Sequence, residues 1–468
     1  MKRLTPVLLF ALLSGCAALD TQTTPVVALD GPALALQDQQ IQWPQEQWWR
    51  RYQDPQLNSA LELALRNHPS LQLAQARIHQ AQAALKGARA VQWPTLDAGY
   101  SLTRQRFSEN YIYPAPYAGS MLTDNNLQLK LGFDLDLWGK QRSLAQAALS
   151  REQAAQADYA AARNALVSAI VQTYFHLQNA LAQEQTLDKL SSQFQSVLDI
   201  TRQRQAAGLD TEVEVSQAQS ALASARVQQR QAQGNAALLR NQLASLCGQS
   251  PEQAGTIALS TLPQPDTLLP ASLPLDLLGR RPDLRSARLA VEAGSHNVAA
   301  ARADFYPNIN LNAFAGFMSL GLDKLVRDSS QIYGVGPAIS LPIFHGGALN
   351  AQLASRQAEQ DMAVAHYNQT LLDSLREVAD ALTRIQSLRE TRQEQAKAYA
   401  AIQHAYDIAQ QRYKSGLGNY LQVLLAQNDV LRQALLDTDL RVQAFNLDAE
   451  LATALGGGYQ EPQTVSKP

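Results

Sequence analysis

Residues 126–138 read NLQLKLGFDLDLW. The odd positions, Leu127, Leu129, Leu131, Phe133, Leu135 and Leu137, are all apolar. The even positions are Asn126, Gln128, Lys130, Gly132, Asp134, Asp136 and Trp138. A period of two is the period of a β-strand, so one face is wholly apolar and the other is polar and charged. After Gly139 the alternation stops. Residues 140–207 hold neither Gly nor Pro. They predict one helix, about 100 Å long at roughly 1.5 Å per residue. Gly139 is the joint between the two periods.

The same transition occurs again further along. Residues 67–94, NHPSLQLAQARIHQAQAALKGARAVQWP, match 280–307, RRPDLRSARLAVEAGSHNVAAARADFYP. Residues 202–219 match 411–427, and both contain an Arg, a Gly-Leu pair and an Ala-Gln pair. An internal duplication follows. Each half predicts a helix (about 57–91 and 283–305) stopped by an aromatic-Pro pair. Two strands come next (about 95–107 and 124–138, then 308–318 and 331–344). A long helical hairpin completes each half (140–247 and 348–455). The chain therefore divides into a signal segment 1–15, an arm 16–56, repeats 57–248 and 281–456 joined by 249–280, and a tail 457–468. The fold class is α+β.

All four strands alternate. Leu96, Ala98, Tyr100 and Leu102 form one face of the first strand, and Ile309, Leu311, Ala313 and Ala315 one face of the third. Tyr333, Val335, Ile339, Leu341 and Ile343 do so in the fourth. Residues 108–123 and 319–330 read as the loops within each strand pair. Trp138 and Phe344 end their strands, either as aromatic-belt residues at a membrane surface or as corner packing. In the long helix, Leu166, Ile170, Leu177, Leu181, Leu187, Phe194 and Leu198 follow a coiled-coil-like seam.

The net charge of -2 over 468 residues gives no reason to expect a nucleic-acid partner. Lys2 and Arg3, the apolar stretch 4–13 and Leu13-Ser14-Gly15-Cys16 resemble a bacterial lipobox, in which Cys16 becomes the acylated first residue. Ala17 in place of Asp resembles outer-membrane sorting. With Cys16 lipidated, Cys247 has no disulfide partner. No other stretch has the eighteen or so apolar residues of a membrane-spanning helix. A membrane passage would use the strands. Four strands cannot close a barrel, and open edges are not tolerated in lipid, so copies of the chain would pool their strands.

Catalytic and metal-binding signatures are missing. The seven histidines form no HExxH or other zinc spacing. The glycines at 456–458 follow a helix and read as its stop. Asp134 and Asp136 could pair as acid and base, but carboxylates on a wetted strand face explain them more simply. An enzyme and any cofactor beyond the Cys16 lipid are not expected.

Several pieces together resemble the TolC/OprM outer membrane factors, in their branch of NodT-type lipoproteins. They are the lipobox, WPQEQWWRRYQDPQLNSAL (43–61), LDLWGKQRS (135–143), LGRRPDLRSA (278–287), ADFYPNI (303–309), LPIFHGGALNAQL (341–353) and ALGGGYQ (454–460). The resemblance implies a homotrimer in the cell outer membrane, with a twelve-stranded barrel continued by a periplasmic α-helical barrel. Its partners would be a periplasmic adaptor and an inner-membrane transporter, and its role the exit duct of an efflux pump for drugs or other toxic compounds. It places Arg204, Gly208, Leu209, Arg412, Gly416 and Leu417 at adaptor-contacting hairpin tips. It places Leu421, Leu425 and Asn428 at the periplasmic gate, with Leu425 where related sequences carry Asp. Lys130, Asp134 and Asp136 would face the lumen. An uptake porin and a lipid-tethered periplasmic coiled coil are the alternative readings.

Overall fold

A computed structural model describes residues 26–29, 43–110, 112–253, 257–260 and 280–460. The signal segment, Cys16, most of 249–280 and residues 461–468 lie outside them. The chain folds as two compact units. One comprises Arg77–Ala155 and Ser286–Asn368 with residues 26–28; the other comprises the described parts of Leu29–Ala76, Gln156–Arg285 and Gln369–Pro468.

In chain order the helices are α1 (Pro55–Asn67), α2 (Pro69–Ala90), α3 (Lys140–Ala206), α4 (Glu212–Leu246), α5 (Pro282–Ala303), α6 (Ala348–Lys414) and α7 (Tyr420–Ala454). The strands are β1 (Thr95–Arg106), β2 (Met121–Asp134), β3 (Asn308–Leu320) and β4 (Gln331–Ser340). The duplication is visible in the lengths. α2 and α5 each have 22 residues, α3 and α6 each 67, and α4 and α7 each 35.

Two element boundaries differ from the sequence reading. The helix expected over 57–91 is two helices, because Pro69 holds His68 in an extended conformation (φ -63°, ψ 132°). The strand expected over 124–138 runs instead from Met121 to Asp134, and the last strand stops at Ser340 rather than 344. The leucines at 135 and 137 continue the alternation through a turn that is no longer paired.

The first unit holds the sheet, antiparallel throughout in the order β1-β2-β3-β4. The register places Tyr100, Leu127 and Phe317 opposite one another, then Ala98, Leu129, Ala315 and Tyr333, then Leu96, Leu131, Ala313 and Val335. The apolar residues of all four strands therefore share one face. Gly316 is required by a close approach: a Cβ there would stand 2.1 Å from the carbonyl oxygen of Leu127.

The second unit is helical, with its core built around the arm. Trp48, Trp49 and Tyr52 are buried with Leu57 and Leu61 of α1, Tyr174 and Phe175 of α3, and Phe445 of α7. Tyr52 meets Phe175 edge to face at 5.0 Å. Its hydroxyl donates to Asp448 at 2.6 Å, and Arg51 pairs with the same carboxylate at 2.5 Å. Asp54 caps α1, accepting from the backbone of Gln56 at 2.8 Å, and receives the Tyr174 hydroxyl at 2.5 Å. Of the α3 seam, Leu166, Ile170, Leu177, Leu187, Phe194 and Leu198 are buried and Leu181 is half-buried. The glycines at 456–458 do more than stop α7. A Cβ on Gly456 would lie 1.9 Å from the Arg280 carbonyl oxygen, and one on Gly458 would lie 2.2 Å from that of Gln45.

Candidate functional site

Two regions carry the residues singled out by the sequence. The first is the sheet and its corner with α3. Every strand residue on the apolar face that the register aligns is solvent-accessible within the chain; Tyr333 and Val335 are 82% and 76% exposed. Nothing in the first unit covers that face. β1 and β4 each have one strand neighbour among the described residues, so both outer edges of the sheet are open. No helix among the described residues is long and apolar enough to cross a membrane.

Lys130 and Asp134 lie on the opposite, polar face, with Asp97 paired across from Lys130 and Asn310 across from Asp134. Asp136 does not belong to that row, which corrects its placement on the strand. It lies past the strand end, with a positive φ of 42°, and caps α3. Its two carboxylate oxygens accept from the backbone N–H of Gln141 at 2.8 Å and of Arg142 at 2.9 Å. Those are donors that a helix start leaves unsatisfied. Asp134 in turn accepts from the Asp136 backbone at 2.9 Å. Gly139 completes the turn with φ 71°. Trp138 is half exposed; it stacks on Tyr306 at 4.7 Å and donates its indole N–H to the Pro307 carbonyl at 2.7 Å. Phe344 lies beyond the end of β4 and is exposed.

The second region is the end of the two hairpins. α3 and α6 finish in the same motif. Gly208 and Gly416 take φ 71° and 76°, and the backbone N–H of Leu209 and Leu417 reaches back to the carbonyls of Arg204 and Arg412 at 2.9 and 2.8 Å. The return helices start with caps, Thr211 for α4 and Asn419 for α7. Backbone geometry makes the two ends alike, but their side chains do not follow. Arg412 is exposed, whereas the Arg204 side chain is only 14% exposed and turns inward. It bonds Asp210 at 2.8 and 3.2 Å and the Tyr413 carbonyl at 3.0 Å, and its guanidinium lies 4.4 Å from the centre of the Tyr413 ring. The Tyr413 hydroxyl also donates to Asp210 and bonds Thr201 at 3.1 Å.

This cluster ties the end of one hairpin to the end of the other, and the sequence did not reveal it. Burial alone would push the Asp210 carboxyl up, but the hydrogen bonds from Arg204 and Tyr413 outweigh it and hold the group below the ordinary carboxylate range. Burial and the bond to Asp210 push the Tyr413 phenol up to about 12. Arg204 is better suited to joining the hairpins than to meeting a partner. Leu209 and Leu417 remain exposed.

On α7, Leu421, Leu425 and Asn428 stand four and three residues apart and share one exposed stripe, while Tyr420, Val423, Ala426 and Gln427 face the core. Leu421 and Leu425 are 55% and 58% exposed. Among the described residues no three His, Cys, Asp or Glu side chains gather as a metal site.

Comparison with known proteins accounts for this combination of an uncovered sheet face and paired hairpins. The family model described as outer membrane efflux protein matches residues 60–249 and 273–457. The multidrug resistance outer membrane protein MdtP of Escherichia coli O6:H1 is 34% identical over 97% of this chain and 96% of its own length. The crystal structure of the outer membrane protein VceC of Vibrio cholerae superposes with a TM-score of 0.85 at 36% identity, covering 89% of this chain and all of that one. The outer membrane channel CmeC of Campylobacter jejuni gives 0.84 at 27% identity, covering 94% of each chain. The chain belongs to the outer membrane efflux protein family.

Proposed function

We propose that this chain is the outer-membrane exit duct of a tripartite efflux pump. Three copies pool four strands each into a twelve-stranded barrel, and the paired hairpins of the three copies continue it as a helical barrel in the periplasm. Compounds enter from an inner-membrane transporter through a periplasmic adaptor and leave passively, with the lipid on Cys16 as an added anchor. One observation carries this reading: four strands in register present an unbroken apolar face and two open edges. Such a sheet suits hydrocarbon only if further strands close it. The efflux role is supported by the MdtP relative, named a multidrug resistance outer membrane protein. Lys130 and Asp134 then line the water-filled lumen, where a charge keeps its hydration. Trp138, Tyr306 and Phe344 stand at the inner membrane surface, and Leu421 and Leu425 form an apolar seal at the periplasmic entrance.

The test is electrophoresis of outer-membrane fractions with and without heating, beside susceptibility of a deletion strain. The reading requires an SDS-resistant species of three times the 51.1 kDa chain that collapses on boiling. It also requires greater sensitivity to some toxic compounds after deletion. A delipidated chain that stays monomeric and soluble without detergent refutes it.

A further inference from the structure

Above the hairpin ends, α3 and α4 enclose an open groove of about 720 Å³. Its floor is apolar: Leu198 and Leu222 are buried there, and Val227 adds an exposed branched side chain. Its rim is cationic. Arg202 comes from α3, and Arg226 and Arg230, four residues apart on one face of α4, stand opposite. The remaining lining residues are Gln and Ala; no carboxylate lines the groove.

The three guanidinium groups are poorly matched from within the chain. Arg226 reaches Gln195 at 3.4 Å and Arg230 reaches Gln233 at 2.9 Å, both neutral amides. Arg202 has Asp199, one turn earlier on its own helix, at 3.9 Å. The nearby acids Asp188 and Glu184 accept from Gln229 and Gln233 instead. Elsewhere on the surface this chain usually pairs its arginines: Arg356, Arg376, Arg432 and Arg441 each meet a carboxylate on their own helix at 2.6–3.4 Å. Three arginines left to amides and one marginal contact, around an apolar floor, form a surface with surplus positive charge and apolar area together.

We infer that this groove docks an acidic amphipathic helix of the periplasmic partner. Leucine-sized side chains of that helix would fill the floor, and Glu or Asp flanking them would pair with Arg202, Arg226 and Arg230. Guanidinium suits this role because its planar fork takes a carboxylate through two parallel bonds. An apolar stripe bordered by charge is the helix-in-groove mode of recognition. The inference adds a contact on the hairpin side to the exit-duct reading and rests on that reading only for the partner's identity. The groove itself belongs to a single chain.

The experiment uses the purified full-length chain in detergent and two fluorescein-labelled stapled helices of about five turns. Both carry the same leucine stripe, flanked by Glu in one and by Lys in the other. Fluorescence anisotropy should show the Glu helix binding at least tenfold more tightly than the Lys helix, with affinity falling as salt rises, since exposed charge pairs are screened. Arg226→Glu with Arg230→Glu should weaken the Glu helix at least tenfold and strengthen the Lys helix. Arg226→Gln with Arg230→Gln, which keeps helix propensity, should abolish the preference between them. Equal binding of both helices, or a preference that survives these substitutions, overturns the inference. Loss of the SDS-resistant trimer in the Gln variant also overturns it, by assigning the groove to a second copy of the chain. Failure of the unmodified chain to form a trimer would refute the duct and leave the peptide result to judge the groove alone.

Discussion

At the scale of single residues, the cluster of Arg204, Asp210 and Tyr413 shows what a buried ion pair costs and holds. Arg204→Leu leaves the Asp210 carboxylate buried without its counter-charge, which should cost about 3–5 kcal/mol. Removing both charges, R204L with D210L, should cost less than R204L alone, because no unpaired charge remains. The pH dependence has two signs. Asp210 titrates below its ordinary value in the fold, so its contribution is complete above about pH 4 and is lost as pH falls through the folded value. Tyr413 is raised to about 12, so its contribution is complete below about pH 10 and is lost between there and 12. Amide hydrogen exchange of peptides covering 200–216 and 408–424, corrected for the intrinsic rate at each pH, should show joint loosening in both windows. Protection that changes in one hairpin end but not the other would break the claim that the cluster ties them together.

At the scale of elements, the strands depend on close backbone approach as well as on alternation. Gly316 and Gly336 both sit on the polar face of the sheet, yet a Cβ on Gly316 would strike the Leu127 backbone, while one on Gly336 would meet nothing within 4 Å. Gly316→Ala should therefore cost about 1–3 kcal/mol through overpacking and strand separation, and Gly336→Ala should be near neutral. The temperature at which the SDS-resistant species dissociates measures both. Equal shifts would mean that β2 and β3 are not held at this spacing. The two periods, near two and near 3.6, were legible in the sequence because burial on one face repeats with the geometry of each element. The duplication was legible because both halves solve the same packing problem, and α3 and α6 came out at equal length. What alternation misled was the end of β2: Leu135 and Leu137 keep the pattern, but pairing stops at Asp134, and Asp136 is used by α3 as a cap. Pro69 carried a signal that went unweighted, since the residue before a proline avoids the helical region. The Arg204 cluster could not be read at all, because it joins residues about two hundred positions apart through side chains.

At the scale of the whole molecule, the question is what closes a duct that is open by construction. Leu417, Leu421 and Leu425 step along the start of α7 and are 72%, 55% and 58% exposed within one chain. Exposed leucines at a helical spacing form a stripe that water solvates poorly. In the trimer proposed above, three such stripes can cover one another only where the hairpins converge. Leu425 occupies the position at which the sequence resemblance places an aspartate in related gates, so this entrance would close by apolar contact and exclusion of water, with no ring of charge. A carboxylate ring would loosen as its charges were screened or bound by divalent cations. An apolar ring should leave resting conductance insensitive to either. Leu421→Ser with Leu425→Ser replaces the contact with groups that water can solvate, and should raise single-channel conductance in planar bilayers several-fold while leaving the trimer intact. Unchanged conductance in that variant would place the seal elsewhere. A wild-type conductance that rises on chelating divalent cations would show that charge takes part in the closure after all.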